Sequence, residues 1–263
     1  MDIQPVHGIP ALRADEYLII GDLHIGVESH LRKKGFHITS RTDDMFDMIV
    51  EAADDSASRL IVLGDVKDSV PGSTKQEYRE IPVFFERLLD RFDSVDVVRG
   101  NHDTNIEEFL PGHVRIRPAT GMKVEDTGFV HGHTWPSKDV MDSETLIMAH
   151  DHPAIMFRDG VGRQVNEPCW VRGRFMMDSS ERYDRLPRNF IIIPAFNRML
   201  GGSPVNIIDE PLLGPIMGGD LLDLENASVH LLDGVDLGKL KDLMIKGSET
   251  RQWGKRIKVK KVE

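Results

Sequence analysis

The sequence predicts an α/β protein built on two β-sheets, the first largely parallel and covered by helices, the second shorter-stranded and more antiparallel. Three observations support this. Up to residue 100, short apolar runs alternate with amphipathic stretches of helical spacing, the βαβαβ order that goes with parallel strands. Beyond that point, short strand-like segments follow one another between glycines and prolines, and helical pattern is scarce. No linker-like stretch and no internal repeat separates the two halves, so both sheets are expected to share one core, with residues 1–245 as one domain and 246–263 as a basic tail.

In chain order, EYLII (16–20) is a short apolar run ending at Gly21, the pattern of a buried strand. Residues 28–58 read as helix in two parts with a break near Gly35; Met45, Ile49 and Ala52–Ala53 keep helical spacing. RLIVLGD (59–65) is a second buried strand, and QEYREIPVFFERLLDRF (76–92) a helix with Phe84, Leu88 and Phe92 on one face. DVVRGN closes a third strand. Further strands are expected at 114–116, 122–125, 128–131, 145–149, 190–193 and 228–232, with a last helix at 236–245.

The 263 residues suffice for a sizeable core, and 40% hydrophobic with 29% charged residues is the balance of a soluble globular protein. No apolar run is long enough to span a bilayer, and the start MDIQPVHGIP lacks the basic and apolar segments of a signal peptide. The one cysteine, Cys169, leaves no internal disulfide, so a reducing cytoplasm is the expected location, with no membrane partner. A net charge of −10 opposes general nucleic-acid affinity, but it is unevenly spread: the tail 246–263 carries seven Lys/Arg and two Glu, leaving −15 on the remainder. The tail could hold phosphate backbones. The plainer alternative is a lysine-guarded edge strand, since RIKVKKV alternates with period two.

Each of the first three strands ends in a glycine followed by metal-capable side chains. EYLIIGDLH delivers Asp22 and His24, RLIVLGDVKD delivers Asp65 and Asp68, and VDVVRGNHD delivers Asn101, His102 and Asp103. The carboxyl ends of adjacent parallel strands open onto one crevice, so these groups can converge in space. Glycine at the turn lets the backbone bend sharply and leaves room for a ligand close to the main chain. GFVHGHTWP adds His131 and His133, and LIMAHDHPA adds His150 and His152. A lone D-x-H or H-x-H is more often a satisfied polar pair than a metal site. Five such clusters in order, each behind an apolar run, are not explained that way.

The series D-x-H, G-D-x-x-D, G-N-H-D, H-G-H and H-x-H-P, spanning residues 22 to 153, resembles the calcineurin-like metallophosphoesterases. Two neighbouring families fit less well. HD phosphohydrolases place their His-Asp pairs on helices, and HGHTWP lacks the second half of the metallo-β-lactamase H-x-H-x-D-H. The resemblance implies a four-layer αββα sandwich, two mixed sheets flanked by helices. It also implies two divalent metal ions, manganese foremost, with iron, zinc or nickel also suited to a mixed oxygen and nitrogen donor set. By the same resemblance Asp22, His24 and His152 hold the first ion, Asn101, His131 and His150 the second, and Asp65 bridges them. Two ions about 3.5–4 Å apart neutralise phosphoryl oxygens and turn the water between them into a hydroxide nucleophile. His102 matches the family's non-ligand histidine, a general acid or electrostatic stabiliser at the scissile phosphate, with Asp103 placed to orient it. Less specific are His133, as a phosphate contact or a structural turn histidine, and Arg99, as a phosphate clamp or an ion-paired support. Asp68 is expected on a loop backbone or a supporting histidine, and Ala149 replaces the usual glycine of G-H-x-H with little consequence.

The segments GVESHLRKKGFHI, HPAIMFRDGVGRQVNEPCWVRGRF and FIIIPAFNRMLGGSPVN look like the small SbcD-related phosphoesterases of archaea. That looser resemblance implies a phosphodiesterase directed at DNA, RNA or nucleotides, with a homodimer or DNA-processing proteins as partners. Arg32-Lys33-Lys34, Arg172, Arg174 and Arg198 favour nucleic acid; the acidic body and the missing DNA-holding cap speak against it. Asn197, in PAFNRMLGG, is a candidate substrate contact, though a plain hairpin loop explains the stretch equally well. Two other functions stay open: a phosphatase or cyclic-nucleotide phosphodiesterase for small substrates, and a metal-free binding scaffold. The complete donor set weighs against the scaffold, because buried carboxylates and histidines left unused would destabilise the chain.

Overall fold

The computed structural model describes residues 1–208 and 212–246. The basic stretch from 247 onward, and with it most of the expected tail, lies outside the described residues.

The first sheet has six strands in sequence order: β1 (Ile3–Pro5), β2 (Leu12–Ala14), β3 (Tyr17–Ile20), β4 (Arg59–Leu63), β5 (Ser94–Val98) and β6 (Arg115–Arg117). From β3 to β6 all pairings are parallel, as the βαβαβ pattern requires. The hairpin of β1 and β2 adds an antiparallel edge that the sequence pattern did not reveal. Helices α1 (Val27–Lys33), α2 (Thr42–Ala53) and α3 (Lys75–Arg91) provide the crossovers. The break between the first two falls at Gly35, whose φ of 91° ends the first helix. The third starts on a capping box: the Thr74 side chain accepts from the Glu77 N–H and the Glu77 carboxylate from the Thr74 N–H.

Alternation along the strands explains the layers. Leu18, Ile20, Leu60, Val62, Val95 and Val97 face outward onto Met45, Ile49, Ile81, Phe84, Phe85 and Leu88 of the helices. Tyr17, Ile19, Ile61, Leu63 and Val98 face the other way, onto Phe129, Ile147, Ala149, Trp170, Ile191 and Ile193 of the second sheet. Both faces of β3 to β5 are therefore largely buried, which is why those strands read as mostly apolar runs, with Asp96 of β5 held by Arg115 and Arg117.

The second sheet is mixed and has nine strands. β7 (Met122–Val124), β8 (Thr127–Val130), β9 (Thr145–Met148), β10 (Pro153–Arg158), β11 (Gln164–Arg174), β12 (Asn189–Ile192) and β13 (Ser203–Pro204) run in the order β13-β10-β11-β12-β9-β8-β7. A separate two-stranded pair joins β14 (Ile207–Ile208) to β17 (Ile245–Lys246), while β15 (Ser228–Leu231) and β16 (Asp236–Lys239) extend the nine-stranded sheet from β11. Its outer face is covered by the short helix α4 (Lys138–Met141) and by irregular chain carrying Tyr183, Leu186, Met217 and Leu222. The helix expected at 236–245 is corrected: 236–239 pair with β15, Gly238 has a φ of 89°, and one turn, α5 (Leu240–Leu243), follows. The long β10–β11 hairpin also escaped the sequence pattern. Pro168 interrupts β11, and residues 164–168 are mostly exposed against β10 while 169–171 are buried between β12 and β15. Among the described residues no helix is long and apolar enough to cross a membrane.

Candidate active site

The carboxyl ends of β3, β4, β5, β8 and β9 bring all seven candidate ligands to one place. Asp22 and His131 are fully buried, Asp65 and His24 nearly so, and His152 is more open; Asn101 is exposed at the rim. One oxygen of Asp65, Oδ2, lies 3.4 Å from His24 Nε2 and also 3.4 Å from His131 Nε2. On one side of it, Asp22 Oδ1 is 3.3 Å from His152 Nε2. On the other, His131 Nε2 is 3.0 Å from Asn101 Oδ1 and 3.1 Å from His150 Nδ1. Donor atoms of Asp22, His24 and His152 form one group within 4.8 Å of one another, those of Asp65, His131 and His150 a second, and those of His24, Asp65 and His102 a third between them.

The ring nitrogens turned away from the centre are braced. His131 Nδ1 donates to the Leu63 carbonyl at 2.8 Å, and His24 Nδ1 is 3.3 Å from Asp68 Oδ1. Such support fixes the tautomer and leaves Nε2 for a ligand. Asp22 Oδ1, His24 Nε2 and His152 Nε2 are buried without a hydrogen-bond partner among the described residues. Three unpartnered donors of mixed O and N type facing one point are costly in a protein interior, and they fit a divalent cation.

The charges agree. Burial opposes ionisation of Asp65, but His131 and His24 outweigh it and hold the carboxyl far below the usual range. Burial likewise opposes protonation of His24 and His131, yet Asp65, with Asp68 beside His24 and Asp22 near both, pushes them up to about 10 and about 9. His150, half-buried and facing His131, is pushed down to about 4 by that burial and by His131.

The backbone is strained where the ligands sit. Asp22, His24, Asp65, His150 and His152 all have positive φ, between 40° and 76°. Non-glycine residues there cost about 1–3 kcal/mol each and cluster at functional sites. Of the two purposes expected of the glycines ahead of the motifs, the sharp bend holds at Gly64, whose φ is 74°, and the room for a ligand is corrected. A Cβ on Gly64 would lie 2.7 Å from both Gly100 Cα and His131 Nδ1, and one on Gly100 would strike the Asp65 carboxylate and backbone nitrogen. The space those glycines save is filled by the neighbouring motif, not by a ligand.

The family model for calcineurin-like phosphoesterases matches residues 16–205, which contain every one of these positions. The chain belongs to the calcineurin-like phosphoesterase family. As a member it is a metal-dependent hydrolase of phosphoester bonds. Among solved structures it is similar to the Pseudomonas putida nuclease MPE, with 18% identity over 88% of this chain and 96% of that one and a TM-score of 0.49. It is also similar to the E. coli phosphoesterase YfcE, at 13% identity over 85% and 97% with a TM-score of 0.37. A third is Vps29 of Entamoeba histolytica, at 13% identity over 81% and 83% with a TM-score of 0.32. No curated protein matches the chain.

For this calcineurin-like phosphoesterase, the remaining expectations divide. His102 lies at the site, its main-chain N–H donating to Asp65 Oδ1 at 2.9 Å and its ring stacked edge-on to His24 at 4.8 Å between centroids. Its Nδ1 is 2.5 Å from the Asp68 carbonyl. That carbonyl, not Asp103, orients the imidazole, which corrects the role expected of Asp103. The Asp103 carboxylate is fully buried and accepts from the Val66, Lys67 and Gly100 N–H groups, tying the loop after β5 to the loop after β4. Arg99 is an ion-paired support: it binds Glu107 and the Asp103 carbonyl, so the phosphate-clamp expectation is dropped. Asn197 is also corrected. It is 2% exposed, its amide donates to the Leu23 carbonyl at 2.8 Å and its oxygen accepts from Met199 N–H, so it is buried as a brace between loops and does not face a substrate. His133 stands at the rim, 5.2 Å from the His131 ring, with Nδ1 buried and unpartnered.

Three supports were not singled out from the sequence. His30 Nδ1 is hydrogen-bonded to Asp68 Oδ2 at 2.6 Å, Glu77 gathers the Asp68 and Ser69 N–H groups, and buried Lys67 donates to the Ser69 and Gly72 carbonyls. Of these, only a lysine inside G-D-V-K-D was a visible signal.

Proposed function

We propose that the chain is a dinuclear metal-dependent phosphodiesterase of the SbcD-related kind, acting on nucleic acid or nucleotides in the cytoplasm. The observation that carries the dinuclear reading is the placement of Asp65 Oδ2, equally distant from His24 on one side and His131 on the other. Asp22, His24 and His152 would hold one divalent ion, Asn101, His131 and His150 a second, with Asp65 placed between the two groups. Manganese is the first choice, since the donor set holds oxygen and nitrogen but no thiolate; Cys169 is buried in the second sheet's core. The ions would supply Lewis acidity toward the phosphoryl oxygens and activate water.

The chain's own residues do the rest. His102, with Nδ1–H donated to the Asp68 carbonyl, keeps Nε2 as the nitrogen that faces the substrate; the imidazolium form gives its Nε2 proton to the departing oxygen and is left as the neutral Nδ1–H ring. His133 is placed to meet a phosphoryl oxygen at the rim. The buried side chains around Asp22 and His131 keep bulk water from the ligand oxygens and nitrogens. Hydrolysis of bis-p-nitrophenyl phosphate with added manganese tests this. Asp65→Asn and Asn101→Ala are expected to abolish it with circular dichroism unchanged, and undiminished activity would refute the ligand assignment. His102→Ala is expected to keep its metal while turnover falls by roughly 10²–10⁴-fold, the usual span for a proton-transfer group; metal loss in that variant would overturn its role.

A further inference from the structure

Beside the site lies a cleft that the metal cage does not use. It has a volume of about 630 Å³ and opens between α1 and the first turn of α3, where Ser29, Arg32, Lys33, Lys75, Gln76 and Arg79 line it. In a chain of net charge −10, four cations around one opening are a local reversal of sign. Arg32 is held in place without being neutralised. Its guanidinium donates to the Ile38 carbonyl at 2.9 Å, to the Ser29 hydroxyl at 3.1 Å and to the Gln76 side-chain oxygen, none of them a carboxylate. The nearby carboxylates are engaged behind it. Glu28 accepts from Arg41 N–H and the Gln76 amide, and Glu80 from Ser40, Thr42, Gln76 and Arg79. The ion pairs of this region are Arg41–Asp44, Arg79–Glu80 and Arg87–Asp43; Lys33 and Lys75 join none among the described residues.

A guanidinium fixed by neutral acceptors, with two unpaired ammonium groups beside it, is preorganised for a phosphate. The cleft is also close to the chemistry. Ser29 precedes His30, which pairs with Asp68 Oδ2, while Asp68 Oδ1 braces His24. A single phosphoryl group at the cage leaves this cleft empty, whereas a nucleic-acid strand carries a further charge on each neighbouring nucleotide.

We propose that this cleft is a second phosphate subsite, gripping the backbone of a nucleic-acid strand on one side of the scissile phosphodiester. The inference rests on the phosphodiesterase reading above and narrows its substrate to a polymer. Its test compares the full-length, manganese-loaded protein with Lys33→Glu/Lys75→Glu and with a control of equal charge change on the second sheet's side, Lys138→Glu/Lys239→Glu. Each is measured on bis-p-nitrophenyl phosphate and on a short, fluorescently labelled single-stranded oligonucleotide, by cleavage and by anisotropy. The subsite predicts that kcat/KM of the Lys33/Lys75 variant falls at least about tenfold more on the oligonucleotide than on the small ester. It also predicts that the slope of log affinity against log salt flattens by about 1.4, two phosphate contacts at about 0.7 each. An equal effect of the control, an equal loss on both substrates, or unchanged oligonucleotide cleavage overturns the subsite alone. A parent protein that hydrolyses the small ester but neither binds nor cuts the oligonucleotide overturns the subsite and the nucleic-acid substrate, and leaves the metal centre standing. Binding that the variant loses, in a parent that does not cut, supports the subsite and removes the cleavage reading.

Discussion

Asp103 and His102 are neighbours in the chain but belong to different parts of the machinery. The imidazole reaches toward Asp65 and His24, while the carboxylate turns inward onto three backbone N–H groups. Removing it leaves those donors buried and unpaired, at about 1–3 kcal/mol each. Asp103→Ala is therefore expected to lower the unfolding free energy in urea by at least about 3 kcal/mol, whereas His102→Ala stays within about 1 kcal/mol of the parent. A fully stable Asp103→Ala protein with reduced turnover would restore the imidazole-support role. The residue types at the site were legible in the sequence, since only a few side chains can ligate a cation or move a proton. Their partners were not: which way a side chain leaves a turn depends on φ and ψ, and five of these residues occupy the left-handed region that sequence pattern does not predict. His30 was illegible for a different reason: its link to Asp68 joins two elements separated by 38 positions.

Strands β3, β4 and β5 were legible because both of their faces are largely buried, so that most positions had to be apolar; Asp96 in β5 is the exception, buried but paired with Arg115 and Arg117. Strands β10 and β11 were not, because half of β11 is exposed and Pro168 breaks its alternation. The glycines at the ends of β3, β4 and β5 show how elements build the site together. Gly64 packs on Gly100, and Gly100 on Asp65, so the loops after β4 and β5 can approach only if neither carries a Cβ. Gly100→Ala is expected to push Asp65 out of position, giving a folded but less stable protein with less than half the parent's bound manganese by mass-spectrometric metal analysis. Full metal content in that variant would mean that the contact between the loops does not set the position of Asp65.

Across the whole molecule, two sheets share a core of Ile19, Ile61, Leu63, Ile147, Ile191 and Ile193, and the carboxyl ends of strands from both meet at its edge. The first sheet contributes Asp22, His24, Asp65 and Asn101, and the second His131, His150 and His152, so neither half holds a complete cage. That division was readable in outline from the order of five motifs behind five apolar runs. The cationic cleft was not, since its lysines and arginines come from helices forty positions apart and each alone looks like a solvated helix face. The most direct test of the dinuclear cage is anomalous diffraction from a crystal of the manganese-loaded protein. The account predicts two peaks per chain, one on each side of the Asp65 carboxylate, with Asp22, His24 and His152 around one and Asn101, His131 and His150 around the other. A single peak, or none within reach of Asp65, would contradict it.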